Sequence, residues 1–260
     1  MLNRLAIISV VGLAAASLFA QGPGRRGPGG GDFALVRAEF GMSNKVVQGA
    51  PYSAQAVTQF TQTLANGDHV QRTTTAAIAR DSQGRTRVDR SLTAVGALSA
   101  RAGGQARAIM IHDPVAGMSY ALDPASKTGR SMQIRPARTV SGTAGAALDK
   151  LRDLAAAKTE DLGTQVIQGI SAQGSRVTRV IAAGQEGNEK EIDIVTETWR
   201  SADLQVLVQS KTSDPRFGET VYQLSGLSRV EPDPALFAVP AGYAITADQG
   251  RARRGPAPAQ

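Results

Sequence analysis

Residues 52–80 read YSAQAVTQFTQTLANGDHVQRTTTAAIAR, and this stretch decides the fold class. From Tyr52 to Leu64 the pattern has period two. Ala54, Ala56, Phe60 and Leu64 share one side, and Gln55, Gln59, Thr61 and Thr63 the other. Successive side chains of a strand point to opposite faces, so this alternation predicts a half-buried β-strand. Asn66-Gly67-Asp68 follows, a dipeptide-centred turn in which Asn and Gly tolerate positive φ, and His69 to Arg80 supplies the returning strand. The segment is a β-hairpin written almost entirely in local signals.

Working outward, the same grammar continues. Asp81-Ser82-Gln83-Gly84 is a second turn, and Arg85 to Leu92 a third strand whose Arg85, Arg87, Asp89 and Ser91 share a wet face. Ala108 to His112 and Met118 to Leu122 bracket Asp113-Pro114-Val115-Ala116-Gly117, and Asp123-Pro124 closes the second of them. Proline cannot donate to a ladder, so it punctuates strand ends. Further strands are expected at Thr164 to Ile170, Arg176 to Ala183, Glu191 to Arg200, Leu204 to Thr212 and Thr220 to Val230, the last two joined through Asp214-Pro215-Arg216-Phe217-Gly218. Many short strands at this spacing make the chain mainly β with minor α, in antiparallel order.

Three segments depart from the pattern. Ala146 to Lys158 places Leu148, Leu151, Leu154 and Ala155 at three- and four-residue spacings opposite Asp149, Lys150, Arg152 and Asp153, an amphipathic helix laid on the sheet. Pro234 to Phe237 after Asp233 reads as a short helical turn, since Asp caps and Pro fits a first turn. Thr93 to Gln105, rich in Ala and Gly, reads either as a loop or as a weak helix.

The ends address the protein. Asn3 and Arg4 precede an apolar run from Leu5 to Phe19, short of the roughly 20 residues needed to cross a bilayer, with a small-residue cleavage point at Ala20. Residues 1–20 are expected to be a signal peptide, 21–32 a disordered Gly/Pro linker, 33–247 one β domain, and 248–260 a disordered basic tail. The expectation is export to the periplasm or medium, soluble after cleavage. With no Cys in the chain there is neither a disulfide nor a lipid-anchoring cysteine.

The net charge of +7 is concentrated at those ends. Arg4, Arg25, Arg26, Arg251, Arg253 and Arg254 account for six charges, and taking these from +7 leaves +1 for the rest. A near-neutral domain with few aromatics lacks the clustered basic face that phosphate neutralisation needs, which argues against nucleic acid. The arginine-bearing tails suit peripheral contact with an anionic envelope surface.

Catalytic signals are sparse. The chain has two His, one beside a hairpin turn (His69) and one ending a strand (His112), and lacks the common zinc, hydrolase, dinucleotide and P-loop motifs. Asp113, Asp123, Asp214 and Asp233 each precede Pro as turn formers; no cofactor and no metal site is expected. Glu191, Asp193 and Glu197 share one side of a strand, which keeps a carboxylate-based glycan hydrolase open as an alternative. Trp199 has the parity of that row.

Asp113-Pro114-Val115-Ala116-Gly117 with Tyr120, Leu122-Asp123-Pro124, Glu197-Thr198-Trp199, Asp214-Pro215-Arg216-Phe217-Gly218-Glu219, and Glu231-Pro232-Asp233-Pro234-Ala235-Leu236-Phe237 with Val239-Pro240 and Tyr243 resemble a group of exported bacterial proteins of unassigned function. At greater distance the order of elements is similar to the LolA-type periplasmic lipoprotein-carrier superfamily. The resemblance covers roughly residues 45 to 245. It implies a single curved antiparallel sheet or half-barrel, with one or two lid helices over an aliphatic concave side, and no catalysis. Independently, Ala108 to His112 and Leu204 to Val208 are apolar on both faces. The expected ligand-lining residues are Phe60, Leu64, Ile109, Ile111, Val206 and Val208, with Leu148, Leu151 and Leu154 from the helix. The function expected is a carrier or sensor of a lipid, lipoprotein or other hydrophobic ligand; an envelope protein that works through its exterior is the competing class.

Overall fold

The computed structural model describes residues 46–92, 106–134 and 157–248. The expected helix at Ala146 to Lys158 falls outside them except at its last two positions, and Lys158 there begins a strand. The segment Thr93 to Gln105, the signal, the linker and the tail beyond Asp248 also lie outside the described residues.

The described chain forms one open, curved sheet of twelve strands. Six come from a first meander, β1 (Tyr52–Thr63), β2 (His69–Arg80), β3 (Thr86–Leu92), β4 (Ala106–Asp113), β5 (Met118–Asp123) and β6 (Thr128–Gln133). Five come from a second, β7 (Lys158–Ile167), β8 (Ile170–Ile181), β9 (Ile192–Ser201), β10 (Val206–Asp214) and β11 (Gly218–Ser228). The meanders join where β11 pairs antiparallel with β1, at Thr58↔Tyr222 and Phe60↔Thr220. A last strand, β12 (Ala244–Ala247), adds parallel to β6, giving the order β12-β6-β5-β4-β3-β2-β1-β11-β10-β9-β8-β7.

Burial follows the sequence period. In β1 every even residue from Tyr52 to Phe60 is buried, and these face Arg80, Ile78, Ala76, Thr74 and Arg72 of β2. The main core collects Tyr52, Ala54, Ala56, Ala76, Ile78, Val88, Val208, Tyr222 and Leu224 on this inner face. A second, smaller core holds Ile109, Ile111 and Leu122 on the opposite face, beneath Tyr120, Val239 and Tyr243. The C-terminal stretch is what covers it. Asp233 caps a single 3-10 turn, Pro234–Phe237, by accepting from Ala235 N at 2.8 Å, and Phe237 is buried under the Arg85 guanidinium, 5.2 Å from its ring. Among the described residues this turn is the only helical element.

One buried cation ties the lower edge together. Arg80 donates from Nε (3.0 Å) and Nη2 (2.8 Å) to the Ala50 carbonyl, reaches the Leu204 carbonyl in the β9–β10 turn, and stacks 4.9 Å from the Tyr52 ring. That turn explains the apolar run there. Leu204 is not in a strand but plugs the core from the turn, and a bulge between Leu207 and Gln209 buries Val206, Leu207 and Val208 together.

Candidate functional site

Residues opposite one another in register share a face, so the ladders sort the inner face into rows that run across the strands. One row is apolar: Ala76, Ala56 and Leu224, with Val208 packed in the same cluster. The next is made wholly of hydroxyl side chains, Thr74, Thr58, Tyr222, Ser210, Thr198 and Ser175, one from each of β2, β1, β11, β10, β9 and β8. Above it lies Arg72, Phe60, Thr220, Thr212, Thr196 and Val177, with the Arg72 guanidinium 5.8 Å from the Phe60 ring.

The middle of the hydroxyl row is dry. Thr58, Tyr222 and Ser210 are 7%, 2% and 1% exposed, and the Ser210 hydroxyl has no hydrogen-bond partner among the described residues. A buried hydroxyl left unsatisfied costs on the order of 1–3 kcal/mol, so such a group calls for an explanation. Towards the β7 edge the row becomes wet and paired: Ser175 and Thr198 are hydrogen-bonded at 3.0 Å. Both line an open cleft of about 580 Å³ whose wall continues through Thr159, Asp161, Gln173, Arg200 and Gln205.

The expected lining residues do not gather in one place. Phe60 and Val208 are buried on the inner face, and Val206 lies in the same core beyond the bulge. Leu64 sits half exposed in the β1–β2 turn. Ile109 and Ile111 belong to the second core, on the opposite face under Val239 and Tyr243. In β4 the residue between them, Met110, is the one on the inner face, and it is exposed. Leu148, Leu151 and Leu154 lie outside the described residues.

The hydroxyl row escaped the sequence reading. Members in the centre of the row occupy the buried parity of their strands, as Thr58 does between Ala56 and Phe60, whereas Ser175 in β8 shares the parity of exposed Ser171 and Gln173. That parity was a signal, but alignment into a row depends on the long-range pairing of β1 with β11.

Most of the sequence's candidate titratable groups have partners. Thr63 Oγ1 lies 3.1 Å from His69 Nδ1, and His112 Nδ1 lies 2.8 Å from Ser119 Oγ; burial holds the His112 imidazole below its ordinary pKa, against the opposing pull of Asp113. Asp113, Asp123, Asp214 and Asp233 accept from backbone N–H groups one or two residues past their prolines. Asp214 also takes both Nε and Nη2 of Arg216, which reaches Glu186 as well, and these two carboxylates raise the guanidinium pKa. On the outer face Lys158, Glu160, Arg176 and Glu197 form a chain of alternating charge over β7, β8 and β9, continued on β10 and β11 by the Lys211–Glu219 pair. Hydrogen bonds from Lys158 and Arg176 hold the Glu160 carboxyl below its usual range. Of the three carboxylates on β9 and its approach, Glu191 and Asp193 are exposed and Glu197 is bound to Arg176 at 2.9 Å. Trp199, on the same side, packs its ring over Gly174.

No family model matches this chain, and no curated protein matches it. Several solved structures are similar. The MucA/MucB complex of Pseudomonas aeruginosa is 12% identical at a TM-score of 0.40, with 74% of this chain and 56% of that chain covered. An uncharacterized conserved protein of Thermus thermophilus is 10% identical at 0.40, with 83% and 96% covered. A LolA superfamily protein of Nitrosomonas europaea is 7% identical at 0.30, with 75% and 94% covered. This chain thus spans little more than half the length of the chain it matches in that complex.

Proposed function

We propose that this chain is an exported, non-catalytic binding protein that holds a hydrophobic ligand in the cell envelope. The observation that carries the reading is the inner face: apolar residues Tyr52, Ala54, Ala56, Val208 and Leu224 run across adjacent strands of one curved sheet. Small side chains at Ala54, Ala56 and Ala76 keep that floor shallow. Curved sheets of this kind commonly take apolar ligands in their mouths. Among the described residues Asp113, Asp123, Asp214 and Asp233 serve turns and Glu160 and Glu197 serve ion pairs, which supports a binding reading.

Burial of an acyl chain is worth about 0.8 kcal/mol per methylene, so a half-buried fatty chain reaches micromolar affinity without polar anchors. The test is native mass spectrometry of gently purified protein, followed by titration with a fluorescent fatty acid. Copurified lipid or saturable micromolar binding is the expected result. Absence of both, with the inner-face side chains closed tightly on one another in a crystal, would leave an envelope protein acting through its exterior.

A further inference from the structure

We infer that the β7–β9 end of the hydroxyl row is a binding site for a neutral polyhydroxylated group, a sugar or glycerol unit. The inference rests on the reading above only for the placement of an apolar tail beside it. Six hydroxyls in register across six strands form a continuous polar rail one residue-pair away from the apolar row of Ala56, Ala76 and Leu224. The middle of the rail lies in the dry core, where the Ser210 hydroxyl is 1% exposed and unpartnered among the described residues. Its β8 end opens into the cleft through Thr198 and Ser175. A ligand with adjacent apolar and hydrogen-bonding parts is the chemistry this layout matches.

The character of the cleft selects the head group. Thr159, Gln173, Ser175, Thr198 and Gln205 present neutral donors and acceptors. Among the described residues the charged lining is Glu160, Asp161 and Arg200; Glu160 is already paired with Lys158 and Arg176, so Asp161 against Arg200 leaves the cleft near neutral, with no surplus cation to draw a carboxylate or phosphate. Hydroxyls both donate and accept, and amides do the same with fixed geometry, which is how a neutral polyol is recognised. Among the described residues no aromatic ring lines the cleft to stack on a sugar, so recognition there rests on hydrogen bonds and free sugar binds weakly.

The experiment is displacement of a conjugated-tetraene fatty acid from the full-length mature protein by two competitors of equal chain length, dodecyl maltoside below its micelle threshold and dodecanoate. Maltose without a tail is titrated separately by calorimetry. The maltoside is expected to displace at about tenfold lower concentration than dodecanoate. That preference should shrink at least fivefold in Gln173→Ala, an exposed position where folding is undisturbed, and in Thr198→Val, with dodecanoate affinity unchanged. Equal displacement by the two heads, or a preference that survives both variants, overturns the polyol site and leaves the hydrophobic reading standing. Maltose binding as tightly as the maltoside supports the site but assigns it to a free saccharide and overturns the hydrophobic reading. Failure of both the fluorescent acid and maltose to bind overturns both.

Discussion

Gly174 offers a test in which intrinsic preference and packing point in opposite directions. Its φ is not in the left-handed region, and it lies mid-strand in β8 opposite Trp199. On propensity alone Gly174→Val should stabilise, because glycine in a strand is disfavoured and a β-branched residue favoured there. The structure predicts the reverse. A Cβ at 174 would stand 2.6, 2.7 and 2.8 Å from Cζ3, Cη2 and Cε3 of Trp199. Carbon atoms pack at roughly 3.5–4.0 Å, so the ring must withdraw by about 1 Å. Trp199 is the sole tryptophan and packs against the main core. Lifting about a third of a side chain that buries roughly 200 Å² re-exposes some 70 Å², worth about 2 kcal/mol. The gain from removing glycine returns about 0.5–1 kcal/mol, so Gly174→Ala should lose about 1 kcal/mol. Gly174→Val, with two further methyl groups against the ring, should lose about 2 kcal/mol or more. Urea unfolding followed by Trp199 fluorescence reads both quantities, and the native emission should shift to the red. A Val variant as stable as the parent with unshifted emission would refute the contact.

Arg80→Ala removes three donated hydrogen bonds and a ring stack from the lower edge of the sheet, and leaves the Leu204 and Ala50 carbonyls without those donors. Unfolding free energy should fall by about 3 kcal/mol, and Arg80→Lys should recover little because an ammonium lacks the planar fork; a loss below about 1 kcal/mol would contradict the role. Burial pushes the Asp89 and Asp214 carboxyls up, but hydrogen bonds and charge from Arg107 and Arg87 at the first, and from Arg216 at the second, outweigh it and leave both below the ordinary value of 3.8. A depressed folded pKa means stability that is full above the ordinary carboxylate value and lost as pH falls through the folded one. The pH dependence of the melting temperature below about pH 4 should therefore flatten in an Asp89→Asn/Asp214→Asn double variant, and an unchanged acid limb would count against it.

How far the sequence carried the fold depended on how local each signal was. The hairpin of β1 and β2 was legible because alternation and the Asn66-Gly67 turn act within a few residues; His69 to Arg80 begins and ends where expected. The strand expected at Thr164 to Ile170 straddles a real reversal. Gln168 and Gly169 both take positive φ (51° and 79°), a two-residue turn that closes β7 onto β8, and glutamine at its first position is not the residue that announces such a turn. Strands β6 and β12 went unseen for another reason. TGRSMQ contains a single large apolar residue, Met132, and β6 is held by main-chain pairing with β5 on one side and β12 on the other.

The site was less legible than the fold because its unit is the row, and a row is a property of register. Ile109 and Ile111 show the consequence: their apolar character said that they would be buried, but only the arrival of Val239 and Tyr243 from 128 or more residues downstream decided that burial falls on the outer face. The same strand turns Met110 inward. A two-faced apolar strand therefore marks a place where two coverings meet, one on each side, and does not by itself mark a ligand. The proposed binding role of the inner face rests on the mixture within it. An aliphatic row lies next to a hydroxyl row, and Ser210, buried beside the cleft-lining Thr198, keeps a polar atom that the described residues leave unanswered. A surface evolved only for packing would gain from an alanine there, since replacing an unpartnered buried hydroxyl by a methyl removes a desolvation cost at little loss of volume. Ser210→Ala should accordingly raise the melting temperature of the unliganded protein and weaken its grip on a polyol-headed ligand. Stability and binding moving together in that variant would mean that the hydroxyl serves the fold.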